Sequence, residues 1–124
     1  METLNDLRIE GTKSMPSVVF NIDGYLKMEG RFIPDNAVIM FEPLIEWVKR
    51  LSAEKVTFDI NLEYLNTSAS MQLFSLLRRI EENCLVKELV VNWYFEEDDE
   101  DHYETGLFFQ EKLSRARFNY RQVA

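Results

Sequence analysis

One segment in the middle of the chain limits the possible folds more than any other. Apolar and polar residues alternate there without exception, so that Val56, Phe58, Ile60 and Leu62 are each followed by a polar neighbour: Thr57, Asp59, Asn61 and Glu63. Strict alternation is typical of a β-strand with one buried face and one face in water. The chain is therefore predicted to build a sheet that need not be covered on both sides.

The residues on either side of this strand have the periodicity of helices. From Asn36 to about Leu51, apolar residues recur at helical spacing, and Pro43 is expected in the first turn. A second predicted helix follows the strand, and its apolar stripe contains Leu73, Leu77, Ile80 and Cys84. Its start is expected at one of four polar residues, Asn66, Thr67, Ser68 and Ser70.

The N-terminal part of the chain predicts a small antiparallel unit. Short strands are expected around Leu7 to Ile9 and Val18 to Ile22, because apolar residues recur there at every second position. The dipeptide Asp23-Gly24 readily adopts the positive φ angles of a tight turn. A hairpin should therefore join the second strand to a third strand, Tyr25 to Glu29.

The C-terminal part predicts a strand, a helix and a last strand. Leu89 to Phe95 is an almost continuous apolar and aromatic run, which favours a central strand buried on both faces. Asp98 to Asp101 are expected to cap a third helix, and Phe118 to Val123 should form the final strand. That helix is predicted to contain Tyr103, Leu107, Phe108 and Leu113.

The order of these elements, β-β-β-α-β-α-β-α-β, contains repeated strand–helix–strand units. Such units make neighbouring strands parallel, whereas a hairpin makes them antiparallel, so the chain is predicted to be an α/β protein with a mixed sheet. The helices are expected mainly on one face, with Trp47 and Trp93 in the core. A length of 124 residues without repeats or linkers indicates one domain.

The charge of the chain is concentrated in one place. The net charge is −8, and six consecutive acids, residues 96–101, account for most of that excess. Without a basic surface, nucleic acid and anionic membranes are not expected as partners. Cys84 is the only cysteine, so neither an internal disulfide nor a cysteine zinc site is expected. With no secretory signal in Met1 to Asp6, these features indicate a cytoplasmic protein.

Catalytic patterns are not found in the sequence. The stretch from Gly24 to Gly30 lacks the residues of a phosphate-binding loop, and His102, the only histidine, is expected to be an exposed loop residue. The acid run, residues 96–101, lacks the ligand spacing of a calcium loop. No catalytic residue, metal or cofactor is therefore predicted. The alternative is a small metal-assisted enzyme that uses the acid run and His102.

Three hydroxyl residues, Thr67, Ser68 and Ser70, lie where a predicted strand ends and a helix begins. A helix cap accounts for one of them. A phosphate at this position would face free helix amides and the positive end of the helix dipole, so modification need not disturb the fold. The cluster therefore indicates either a cap alone or a phosphorylation switch.

Two motifs together resemble the SiaC family of bacterial regulatory phosphoproteins. The first runs from Tyr64 through Asn66-Thr67-Ser68 to Ser70, and the second is Trp93-Tyr94-Phe95 followed by the acid run. Further matches at residues 15–20, 30–31, 34–37 and 41–47 extend the resemblance over nearly the whole chain. The resemblance implies one regulatory domain, residues 1–124, with a STAS-like fold. Ala69 and Phe32 depart from the family pattern.

The resemblance also implies a function and a site. In this family a cognate Ser/Thr protein kinase phosphorylates the threonine of the Asn-Thr-Ser motif, here Thr67, and a PP2C-type phosphatase removes the phosphate. The unmodified form binds an effector such as a diguanylate cyclase, which implies a role in cyclic-di-GMP and biofilm signalling. The residues expected to bind partners are Tyr64, Asn66, Thr67, Ser68, Ser70, Glu96, Glu97, Asp98 and Asp99.

Overall fold

The computed structural model describes residues 3–32 and 37–123. Its elements follow the predicted order, with strands at both ends and helices between the later strands. They are β1 (Leu7–Ile9), β2 (Ser17–Phe20), β3 (Tyr25–Arg31), α1 (Ala37–Lys49), β4 (Lys55–Glu63), α2 (Thr67–Glu82), β5 (Glu88–Glu96), α3 (Glu100–Lys112) and β6 (Arg117–Val123).

The strands form a single mixed sheet whose spatial order is the same as their order in the sequence. Neighbours are antiparallel from β1 to β3 and parallel from β3 to β6. The predicted mixed α/β sheet and the hairpin at Asp23-Gly24 are both confirmed, and Gly24 has the expected positive φ of 106°. Each helix crosses from one parallel strand to the next in the same direction, and the right-handed rule for such crossovers places these helices on one face.

The core lies between the helices and one face of the sheet. In β4, Val56, Phe58, Ile60 and Leu62 are buried, while the residues between them are only half-buried. Trp47 and Trp93 both lie in this core, as predicted. Trp47 packs 5.3 Å from Phe20, measured between ring centroids, and its Nε1–H donates to the Asn5 carbonyl oxygen at 2.8 Å.

The opposite face of the sheet is polar and carries a row of hydrogen bonds across four strands. The Tyr25 hydroxyl and the Asn92 amide donate to the two carboxylate oxygens of Asp59, each at 2.8 Å. The Asn119 amide donates in turn to the Asn92 side-chain oxygen at 3.1 Å. Burial, with the hydrogen bond to Asp59, raises the pKa of Tyr25 to about 12. The prediction of one wet face for β4 is confirmed.

The prediction for β5 is wrong in one respect. It lies between β4 and β6, but it alternates buried and half-buried residues and is not buried on both faces. Leu89, Val91 and Trp93 face the core, whereas Val90 and Asn92 lie on the face without helices. The continuous apolar run led to the wrong prediction of two buried faces, because apolar residues also occupy the half-buried positions of a sheet covered on one side.

Two details of α1 and α2 also differ from the predictions. Pro43 lies inside α1, beyond its first turn, and Asn36, the predicted start, falls outside the described residues. Cys84 is exposed and follows the end of α2, so it is not part of the buried stripe. Asn83 ends α2 because its side-chain amide donates to the carbonyl oxygens of Val48 and Leu51, at 3.0 and 2.8 Å.

Two of the apolar residues of α3, Leu107 and Phe108, are exposed. The helix instead buries His102, Gly106 and Phe109. It rests on the large ring of Trp93, and a Cβ atom at Gly106 would lie 2.8 Å from the Trp93 Nε1 atom. Gly106 therefore allows the close approach of α3 to β5, and this contact decides which face of the helix is buried.

We expect Gly106→Ala to destabilise the protein by up to about 2 kcal/mol. Alanine favours a helix by about 1 kcal/mol over glycine, but overpacking a well-filled core typically costs about 1–3 kcal/mol. The Trp93 ring cannot easily yield, because its Nε1–H donates to the His102 carbonyl oxygen at 3.0 Å. Urea unfolding measures the effect, and Glu111→Ala at an exposed position of α3 is the control. A higher urea midpoint for Gly106→Ala would contradict this packing.

Candidate functional site

The two motifs singled out in the sequence meet at one edge of the sheet. β4 ends at Glu63 and β5 at Glu96, and α2 and α3 begin within a few residues of these strand ends. Because β4 and β5 are parallel, their carboxyl ends lie side by side, where α/β proteins usually place their sites. The hydroxyl cluster at the start of α2 and the acid run before α3 are therefore neighbours in space.

The turn between β4 and α2 presents unused hydroxyl groups. Asn66 is the helix cap, since its side-chain oxygen accepts a hydrogen bond from the Ala69 amide at 2.7 Å. Thr67 and Ser68 are exposed in the first turn, and Ser70 is half-buried. Within the described residues, none of these three hydroxyl groups makes a hydrogen bond. The Asn66 side chain therefore caps the helix, and the three hydroxyl groups are not needed for capping.

Tyr64, immediately after β4, has a left-handed backbone with a φ of 57°. A bulky residue in this conformation is strained by about 1–2 kcal/mol. Its ring is 64% exposed, and the Arg31 guanidinium lies 5.0 Å from the ring centroid. Arg31 Nε also lies 3.2 Å from a Glu63 carboxylate oxygen. Sequence reasoning missed this contact, although the family resemblance included Gly30-Arg31.

The acid run caps α3, as predicted. Asp99 is the cap residue, and its carboxylate oxygen accepts a hydrogen bond from the His102 amide at 3.1 Å. Glu100 and Asp101 lie in the first turn, where the helix dipole favours negative charge. Glu96, Glu97 and Asp98 are exposed, and their carboxylates have no ion-pair partner among residues 3–32 and 37–123. Over the same residues, no group of three or more acids, histidines or cysteines is arranged to hold a metal ion.

His102 does not lie in an exposed loop, and that prediction is wrong. It is 8% exposed, in the first turn of α3, with its ring stacked 4.7 Å from the Trp93 ring. Burial lowers the pKa of His102, although the Asp99 charge and a hydrogen bond to the Tyr94 backbone act in the opposite direction. The imidazole is therefore neutral at pH 7. Its Nε2 atom is buried and has no hydrogen-bond partner among the described residues.

We expect His102 to make the stability fall as the pH drops below 6.5, the usual histidine pKa. Between that value and the lower folded pKa, the unfolded chain binds more protons than the folded chain. Stability is therefore complete above pH 6.5 and is lost as the pH falls toward the folded pKa. Urea unfolding over this range should show a steeper loss for the wild type than for His102→Gln. If the stabilities of the wild type and of His102→Gln changed in the same way with pH, the result would contradict the burial of a neutral imidazole.

Two depressions in the surface share this edge. The first, which we call the acidic cleft, has a volume of about 510 Å³ and is lined by carboxylates, aromatic rings and His102. The second, which we call the helix groove, is about 960 Å³ and runs between α2 and α3. Its walls include Met71, 66% exposed, Phe108, 54% exposed, and the Phe74–Phe109 ring pair. The helix groove is therefore largely apolar.

The residues expected to bind partners are divided between these two depressions. Tyr64, Glu96, Asp98 and Asp99 line the acidic cleft. Thr67 and Ser70 line the helix groove. Asn66, Ser68 and Glu97 line neither. Leu65, Asp101 and Thr105 line both, so the two depressions adjoin. The apolar walls of the helix groove were not predicted from the sequence.

Comparisons with known proteins agree with this geometry. The model of the SiaC family of regulatory phosphoproteins matches residues 9–123. An uncharacterized protein of Pseudomonas aeruginosa (strain UCBPP-PA14) is 30% identical over 116 residues, which are 90% of this chain and 92% of that protein. No described helix is long and apolar enough to cross a membrane.

Solved structures show the same fold. The structure of SiaC of Pseudomonas aeruginosa superposes with a TM-score of 0.79 at 27% identity, covering 96% of this chain and 99% of that one. A chain in the crystal structure of the diguanylate cyclase SiaD in complex with its activator SiaC, also from Pseudomonas aeruginosa, has a TM-score of 0.77 at 30% identity. That match covers 95% of this chain and all of the other.

Proposed function

We propose that this chain, which belongs to the SiaC family of regulatory phosphoproteins, binds a diguanylate cyclase and regulates cyclic-di-GMP signalling. The observation that carries the proposal is the similarity to SiaC, which was crystallised in complex with the cyclase SiaD as its activator. The chain covers nearly the whole of that relative, so the comparison applies to an entire domain. We assign no catalytic residue and no cofactor to the chain, whose role in this proposal is to bind.

The proposed switch is phosphorylation of Thr67 by a Ser/Thr protein kinase and its reversal by a PP2C-type phosphatase. Thr67 is exposed, its hydroxyl is unused, and it is the first residue of α2. The first amides of a helix lack partners within the helix, so they can receive a phosphate without loss of the fold. Because the kinase and the cyclase both consume nucleoside triphosphates, we place this switch in the cytoplasm.

The helix groove is the surface that such a switch would control. Thr67 stands at one end of it, and Met71 and Phe108 expose apolar side chains along its length. Its lining, as far as residues 3–32 and 37–123 form it, contains no lysine or arginine, whereas Asp101 and Glu104 lie in its wall. A cyclase surface seated in the groove would therefore contact a neutral hydroxyl before phosphorylation and an uncompensated dianion afterwards.

Binding to the diguanylate cyclase of the host tests the proposal directly. The unmodified chain should co-elute with the cyclase in size-exclusion chromatography and change its rate of cyclic-di-GMP synthesis. Met71→Glu should weaken the complex by placing a charge in the helix groove. Leu85→Glu is the matched control, since Leu85 is also an exposed apolar residue but lies beyond the end of α2, far from Thr67. No complex and no change in synthesis would refute the proposal.

A further inference from the structure

The acidic cleft is not explained by a phosphorylation switch in the helix groove. Among the described residues, its lining contains one cationic side chain, that of Arg31. Against it stand the carboxylates of Glu63, Glu96, Asp98, Asp99 and Asp101. An excess of negative charge in a concave site concentrates the field and attracts cations. The chemistry of the cleft therefore calls for a positively charged ligand.

Most of these carboxylates are not engaged with the protein itself. Glu63 is paired with Arg31, and Asp99 uses one oxygen to cap α3. For Glu96, Asp98 and Asp101, no side-chain hydrogen bond or ion pair exists within the described part of the chain. Like charges that lie close together without compensation destabilise the folded protein. A structure that keeps them together is suited to a ligand that supplies the missing charge.

His102 is an independent sign of a missing donor. It lines the acidic cleft, is more than nine-tenths buried, and its Nε2 atom has no hydrogen-bond partner among the described residues. In a neutral imidazole one nitrogen donates and the other accepts. The Nε2 atom therefore lies in the wall of the cleft with its hydrogen-bonding capacity unused. The cleft thus offers carboxylate acceptors beside an unsatisfied imidazole, and the ligand must bring donors.

The aromatic side chains narrow the choice of ligand. Tyr64, Tyr94 and Phe95 also line the cleft. The Tyr64 ring already receives the guanidinium of Arg31 at 5.0 Å, which shows that planar cations fit this wall. A small metal ion does not fit, since no set of three acidic or histidine ligands converges among the described residues. A guanidinium does, because it has five donors in a plane and stacks on aromatic rings.

We propose that the acidic cleft receives an arginine side chain of a protein partner. The source of the arginine rests on the proposed function, in which this chain acts by binding another protein. The side chain stacks on the aromatic wall and donates to the carboxylates of Glu96 and Asp98. Lysine is a weaker ligand, because its compact ammonium neither stacks in this way nor reaches several separated acceptors at once.

The test is an NMR titration of the unmodified chain with blocked arginine, N-acetyl-arginine methylamide. We expect saturable shifts of the Trp93 indole and the His102 resonances, which report on the wall of the cleft. At equal ionic strength, blocked lysine should bind more weakly than blocked arginine, and blocked citrulline should give no saturable shifts. Because no cyclase is used, the outcome is independent of which protein partner binds the chain.

A double variant supplies the control for charge. Glu96→Gln combined with Asp98→Asn should weaken the binding of blocked arginine by about tenfold, since charge-assisted hydrogen bonds are the strong ones. Glu42→Gln combined with Glu111→Gln removes the same charge from exposed positions outside the cleft and should leave the affinity unchanged. The proposal would be overturned if both double variants weakened the binding of blocked arginine equally. It would also be overturned if blocked lysine bound as tightly as blocked arginine, or if free arginine bound much more tightly than the blocked form.

Discussion

The Trp93→Ala variant is expected to be largely unfolded. Its side chain is fully buried, and replacing a buried tryptophan by alanine costs about 3–5 kcal/mol. Small domains have a total stability of about 5–15 kcal/mol, so the loss is a large fraction of the whole. Trp93 packs at 5.5 Å from Phe109 and 6.2 Å from Phe118, measured between ring centroids, and so joins β5 to α3 and β6.

The same residue holds the candidate site in place. Its Nε1–H donates to the His102 carbonyl oxygen, and its ring stacks on the His102 ring, so it fixes the first turn of α3. Trp93→Phe is the control, because it retains most of the apolar contact and loses only the hydrogen bond and part of the ring. Circular dichroism and urea unfolding should show a smaller loss for Trp93→Phe. A cooperative transition for Trp93→Ala near the wild-type midpoint would show that the ring is not essential to the core.

Phosphorylation of Thr67 is expected to weaken cyclase binding by about a hundredfold or more. A phosphate adds about −1.5 to −2 charges at neutral pH. Burying that anion in an interface without cationic partners costs several kcal/mol, and each 1.4 kcal/mol changes affinity by about tenfold. Within the described part of the chain, the lining of the helix groove contains no lysine or arginine, and it adds the charges of Asp101 and Glu104. Titration calorimetry of the modified and unmodified chains measures the difference.

Variants of Thr67 distinguish the effect of added negative charge from the effect of losing the threonine side chain. Thr67→Ala should retain cyclase binding and abolish phosphorylation. Its effect on stability should be well below the roughly 1 kcal/mol of a lost cap, because Asn66 performs the capping. Thr67→Asp should reproduce release only in part, since one carboxylate has less charge and fewer oxygens than phosphate.

The neighbouring hydroxyl provides the control for the position of the phosphate. Ser68 is equally exposed in the first turn of α2, so Ser68→Ala should leave phosphorylation and release unchanged. Mass spectrometry after incubation with the cognate kinase locates the phosphate. Modification of Ser68 or Ser70 with Thr67 unmodified would contradict the assignment.

Much of the site could be predicted because its two motifs are continuous in the sequence. The residues Tyr64 to Ser70 and the acid run predicted the family, and the family model matches almost the whole chain. The contributions of Arg31 and Met71 were missed. They belong to the site only because the parallel strands bring three separate chain segments to one edge of the sheet.

The sequence by itself determined the type and order of the elements, since strand and helix periodicities are repeated within a few neighbouring residues. Only the tertiary structure decided which face of α3 is buried. His102 lies inside and Phe108 outside because Gly106, and no larger residue, permits contact with the Trp93 ring. That choice depends on the shapes of side chains from two elements distant in sequence, and local periodicity contains no information about such contacts.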